Sequence, residues 1–157
     1  LKWCWLSLII LLLDQSSKYF MMHSLTLYQP EPILPFFNLT LAHNTGAAFG
    51  FLNQRPVLAL WIFSSIALIM SVVLLIWLYR LPINRRWSAC ALSLVLGGAA
   101  GNVIDRFVHG HVVDFLDFYY QHWHFATFDL ADTAIAIGAA MLLVEMFFKK
   151  STPLSVL

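Results

Sequence analysis

From Pro56 to Tyr79 the chain runs without a charged residue, and nearly every side chain in that run is apolar. A helix crossing the hydrocarbon core of a bilayer needs roughly 20 such residues. Lipid offers no water to backbone N–H and C=O groups, so a segment of this kind must satisfy them internally as a helix. Three further segments share the pattern. Trp3 to Met22 carries only Asp14 and Lys18 as charges. Trp87 to Ile104 carries none, and reaches span length if Asn102 to Asp105 complete its last turn. Thr133 to Phe148 carries only Glu145, and reaches span length if it starts near Asp129. The expectation is an all-α integral membrane protein: one membrane-embedded domain over residues 1–157, with four transmembrane helices at about 3–22, 56–79, 87–105 and 130–148.

Composition supports this. The chain is 61% hydrophobic and 11% charged, where a soluble domain has about 25% charged residues. A net charge of +1 and the lack of a basic patch exclude a phosphate-backbone partner, so no nucleic acid is expected. The opening LKWCWLSLIILLLDQSSK is interrupted by Asp14 and Lys18 and is followed by no small-residue cleavage site, so a retained span is expected rather than a leader. Cys4 and Cys90 begin apolar segments and are expected to be packed thiols.

Lys and Arg in short loops set orientation. Lys2, Arg80, Arg85, Arg86, Lys149 and Lys150 fall on one side of a four-span chain; Lys18, Arg55 and Arg106 fall on the other. Both termini are therefore expected in the cytoplasm, with residues 23–55 and 106–130 outside it. The acids then segregate. Asp105, Asp114, Asp117, Asp129 and Asp132 lie on the outer side or at outer helix ends, and Asp14 falls in the outer half of the first helix. Glu145 alone is near the cytoplasmic face, where a solvated pair with Lys149 is expected. Acids at membrane depth are costly and mark function, and several converge here on one interface.

The outer loops have patterns of their own. NLTLAH alternates as a half-buried strand does, HWHFATF is similar, and TLYQPEPILPFF mixes aromatics with prolines. A small, irregular antiparallel β-sheet on the outer surface is expected, with GAAFGFLN as a short interfacial helix. If Asp129 caps the fourth helix, Asp132 is its third residue, where the helix dipole favours negative charge.

Two carboxyls that share one proton can cleave a peptide bond. The ionised one takes a proton from water, and the protonated one donates to the carbonyl. Asp105, Asp114, Asp117, Asp129 and Asp132 are all candidates, and chemistry alone leaves the pairing open. The segments LDQSSK, HNTGAAFG, GGAAGNVIDR, HVVDFLDF and FDLADTAI, in that order on four spans, resemble the lipoprotein signal peptidase (signal peptidase II) family of bacterial membrane aspartic peptidases. The resemblance runs from Asp14 to about Ile137.

That resemblance implies Asp114 and Asp132 as the catalytic pair. It implies Asp14, Lys18, Asn44, Gly46, Asn102, Asp105, Arg106, Asp129 and Ala131 as supporting positions. Asn44 and Arg106 would hold the substrate backbone or a carbonyl, and Asp105 would orient Arg106 or cap the helix end. The implied substrate is a prolipoprotein cut before its diacylglyceryl cysteine at the outer face of the inner membrane, by a lipid-embedded monomer sensitive to globomycin. The family usually has Asn where this chain has Asp129. A third carboxylate beside the pair should raise its titration range.

Other classes are weaker. His109 with His111, and His122 with His124, have strand spacing that could suit zinc. No H-E-x-x-H accompanies them and an aspartic pair needs no ion, so no metal or cofactor is expected. GGAAG lacks the context of a nucleotide loop and suits close helix packing. Asp14 and Lys18, four apart, suit a buried structural pair or a substrate contact equally. A small proton- or ion-coupled transporter is the main alternative, but a conduction path needs polar groups at every depth and the second span has no charge. A serine-type intramembrane peptidase would need a His inside a span.

Overall fold

The computed structural model describes residues 2–46 and 56–148. Four long helices carry the chain: α1 (Cys4–Ser24), α2 (Pro56–Arg80), α3 (Arg86–His109) and α4 (Leu130–Phe148). Each covers its expected segment to within a few residues. Between them run the strands β1 (Pro30–Leu34), β2 (Phe37–Asn44), β3 (Val112–Tyr120) and β4 (Trp123–His124), in one antiparallel sheet of order β1-β2-β3-β4. By length and apolar composition α2 (from Leu60), α3 and α4 can each cross a membrane; α1, with Asp14 and Lys18, is the more polar fourth helix.

Burial is inverted relative to a water-soluble core. Trp61, Ile69 and Val57 on α2 and Phe147 on α4 are exposed, whereas Asp14, Lys18, Asp105, Asp114 and Asp129 are buried. Water could not stabilise such an outside; hydrocarbon can. Glycines let the helices approach. A Cβ on Gly97 would lie 2.7 Å from the Ser7 carbonyl oxygen of α1, and one on Gly98 would strike the Ala131 carbonyl of α4. The GGAAG run is thus a packing surface on both sides of α3, the helix against which α1, α2 and α4 all pack.

α3 ends at Gly110, whose φ of 77° is the left-handed conformation that glycine adopts without steric cost. The chain turns there directly into β3. HVVDFLDF is therefore a central strand; its residues Val112 to Phe115 are all buried. HWHFATF contributes only the two residues of β4. Most of GAAFGFLN lies outside the described residues, as does Lys149. Glu145 accepts from Ser88 Oγ at 2.6 Å and pairs with Arg85 at 3.2 Å, tying α4 to α3.

Candidate active site

The cluster begins at the outer end of α1. Lys18 is 1% exposed, and its Nζ lies 2.9 Å from Asp14, 2.8 Å from Asp105 and 2.7 Å from Asp129, and donates to Asn102 Oδ1 at 3.2 Å. One ammonium thus ties α1 to α3 and to the start of α4. An unpaired charge at this depth would be costly; here it is surrounded by acceptors. Asp14 also accepts the Ala131 N–H at 3.1 Å, docking the first turn of α4 on α1, and Gly101 leaves room for its carboxylate. Both residues of the Asp14–Lys18 pair are buried among these partners.

Asp129 is the N-cap of α4. Its Oδ1 accepts the Asp132 N–H at 2.6 Å, and its main-chain carbonyl takes the first helical bond from Thr133. Asp132 is then the third helical residue, as the sequence implied, and its Oδ1 accepts from Asn102 Nδ2 at 2.8 Å. Asn102 therefore joins Lys18 on one side to Asp132 on the other.

Asp114 comes from β3. It is 1% exposed, its Oδ2 accepts from Asn44 Nδ2 at 2.9 Å, and its Oδ1 is buried with no partner among the described residues. Asn44 is held in turn by the Gly46 N–H, which donates to its Oδ1 at 2.8 Å. Gly46 has φ of 85°, and the Phe63 ring occupies the place of any Cβ, so only glycine fits. Carboxylate oxygens of Asp114, Asp129 and Asp132 lie within 4.8 Å of one another. Burial, reinforced by the charge on Asp129, pushes the Asp114 carboxyl up to about 8. Burial also raises Asp129, to about 7, against the opposing pull of Lys18.

The remaining expected positions divide. Asp105 does not orient Arg106; it accepts from Gln15 Nε2 at 2.8 Å and from the Val113 N–H at 3.1 Å, fastening β3 to the end of α3. Arg106 donates to the Asn102 carbonyl at 3.1 Å, and the charges of Asp132, Asp105, Asp114 and Asp129 act on it. Asp117 is outside the cluster. Three residues after Asp114, it faces the opposite side of β3. There it accepts from Thr40 at 2.9 Å, Asn38 at 3.2 Å and His124 at 2.9 Å.

His124 is engaged by Asp117, while the His109 and His111 rings lie 6.0 Å apart and His111 stacks on His43 at 3.7 Å. Gln15 is the position that the sequence left without a role. It bonds both Asp14 and Asp105, and an amide beside an acid in an apolar helix was its only signal.

A groove of about 530 Å³ leads away from the cluster. Asn102 and Arg106 line its outer end; Phe63, Met70 and Trp77 of α2 and Ile135 and Leu142 of α4 line its walls. Its floor is α3, so it runs between α2 and α4 along the direction of the helices. A chain lying in it would bring one end to the carboxyls.

Known proteins share this arrangement. A family model described as Signal peptidase (SPase) II matches residues 6–148. The lipoprotein signal peptidases of Yersinia pestis (strain Pestoides F) and Yersinia pseudotuberculosis serotype I (strain IP32953) are each 50% identical over 147 residues, covering 94% of this chain and 87% of theirs. A bacterial membrane enzyme solved by the in meso method at 2.3 Å resolution superposes with a TM-score of 0.84 at 26% identity, covering 99% of this chain and 93% of that one. A second, solved by the same method at 1.9 Å, gives 0.83 at 27% identity, with 94% of each chain covered. With the motifs in order, the helices and sheet in place and the buried acids gathered at one end, the chain belongs to the signal peptidase II family.

Proposed function

We propose that Asp114 and Asp132 are the catalytic pair with which this signal peptidase II family member removes the signal peptide from lipid-modified prolipoproteins, cutting before the diacylglyceryl cysteine. The observation that carries the assignment is that carboxylate oxygens of the two, from two different elements, lie within 4.8 Å, with Asn102, which bonds Asp132, lining the apolar groove. Two acids so close cannot both ionise at neutral pH, so the pair holds one proton.

The reaction then balances without a cofactor. The ionised carboxylate takes a proton from water, and the resulting hydroxyl bonds to the scissile carbonyl carbon. The protonated carboxyl gives its proton to the carbonyl oxygen. On collapse the first carboxyl passes its proton to the departing nitrogen, the C–N bond breaks, and the second recovers a proton from the diol. Arg106 and Asn44, beside the pair, are placed to hold substrate carbonyls. The signal peptide would lie in the groove between α2 and α4, with α1 as a fourth span. The sheet would lie on the outer face of the bacterial inner membrane, and both termini in the cytoplasm.

The test is cleavage of a diacylglyceryl precursor by protein in lipid. Asp114→Asn and Asp132→Asn should each lower the rate by about 10²–10⁴-fold with unchanged thermal unfolding, chelators should have no effect, and globomycin should inhibit. Loss on chelation with recovery on adding zinc, or full activity in either variant, would reject the assignment.

A further inference from the structure

The cluster contains three carboxyls where two-acid chemistry needs only two, which raises the question of where its proton resides. The contacts differ among the three. Asp129 has a cation 2.7 Å from Oδ2 and a backbone N–H on Oδ1. Asp132 sits in the first turn of α4, facing the positive end of the helix, and accepts from Asn102. Among the described residues, Asp114 has one amide on Oδ2, no cation in contact, and a buried Oδ1 that bonds nothing. A buried acceptor left bare is unfavourable for an anion, whereas a protonated oxygen there has a hydrogen to give. The charged groups acting at Asp129 come from every packed element: Lys18 and Asp14 on α1, Asp105 and Arg106 on α3, Asp114 on β3 and Asp132 on α4.

We infer that Asp129 is a positioning residue that, held as an anion by Lys18, confines the proton of the cluster to Asp114, so that Asp114 is the general acid and Asp132 the general base. The inference rests on the catalytic pair proposed above. Asp129 has two separable tasks. Its Oδ1 caps α4 and sets Asp132; its charge keeps Asp114 protonated to a higher pH.

The test separates charge from cap in the full-length protein in lipid, with kcat/KM followed against pH. Asp129→Asn and Asp129→Ser both keep a capping oxygen and lose the charge. Removing a nearby anion lowers the pH at which Asp114 gives up its proton, so the basic limb should move toward acid by about 1 unit or more in both. Asp129→Glu keeps the charge but not the cap geometry, so kcat should fall while the limb stays in place. Limbs that stay put in the Asn and Ser forms would reduce Asp129 to a cap and overturn the inference. A second readout does not depend on those variants. The infrared C=O stretch of a protonated carboxyl, below the basic limb, should be present in the parent and in Asp132→Asn and absent in Asp114→Asn; the reverse pattern would also overturn it. A parent that cuts no precursor, or a catalytic pair other than Asp114 and Asp132, would instead reject the underlying function.

Discussion

Asp114 and Asp117 stand three residues apart on one strand and have opposite surroundings. Burial raises Asp114 against the Asn44 amide and the charge of Lys18, while for Asp117 burial is outweighed by the bonds from His124, Asn38 and Thr40, which hold its carboxyl below its ordinary value. The consequence for Asp117 is structural. A depressed carboxyl stabilises the fold above its unfolded value of about 3.9, and that contribution is lost as pH falls through the lower folded value. Asp117→Asn should therefore keep most of the cleavage activity, lower stability by about 1–2 kcal/mol at neutral pH, and flatten the loss of stability on acidification. Thermal unfolding at a series of pH values, set beside the cleavage rate, checks all three. An inactive but stable Asp117→Asn protein would mean that the wrong acid of β3 had been assigned.

The elements differ in how far the sequence announces them. A bilayer forces any long apolar segment into a helix, so the four helices could be placed from hydropathy with ends off by a few residues. β3 could not. Val112, Val113, Asp114 and Phe115 are all buried because both faces of the strand are covered, and the period-2 alternation that betrays a half-buried strand is absent. Asp105 and Gln15 were misjudged or passed over for a related reason: their partners are on other elements, at sequence separations no local pattern encodes. The N-cap at Asp129 was legible because capping is local.

Packing between α3 and α4 then determines how well that cap places Asp132. A Cβ on Gly98 would strike the Ala131 carbonyl, one residue before Asp132, and lie 2.9 Å from Ile135 Cγ1. Gly98→Val should cost about 1–3 kcal/mol by overpacking yet slow cleavage by about 100-fold, since a 1 Å misplacement of a reacting group is enough for that. A rate loss no larger than the unfolded fraction accounts for would argue against such a link.

At the scale of the whole molecule, the apolar outside and polar inside are joined by the groove between α2 and α4 with α3 beneath it. Its walls are side chains that face hydrocarbon. A bound segment would arrive by sliding sideways within the sheet of lipid. Encounter is then a matter of density per unit area, and the volume of buffer above the membrane has no part in it. With enzyme and precursor together in vesicles, fusing in empty lipid should slow processing in proportion to the dilution of the surface. Diluting the whole suspension with buffer should leave the rate per vesicle unchanged. Precursors held in the same leaflets therefore compete for one enzyme by their crowding in two dimensions, however scarce they are in the compartment as a whole.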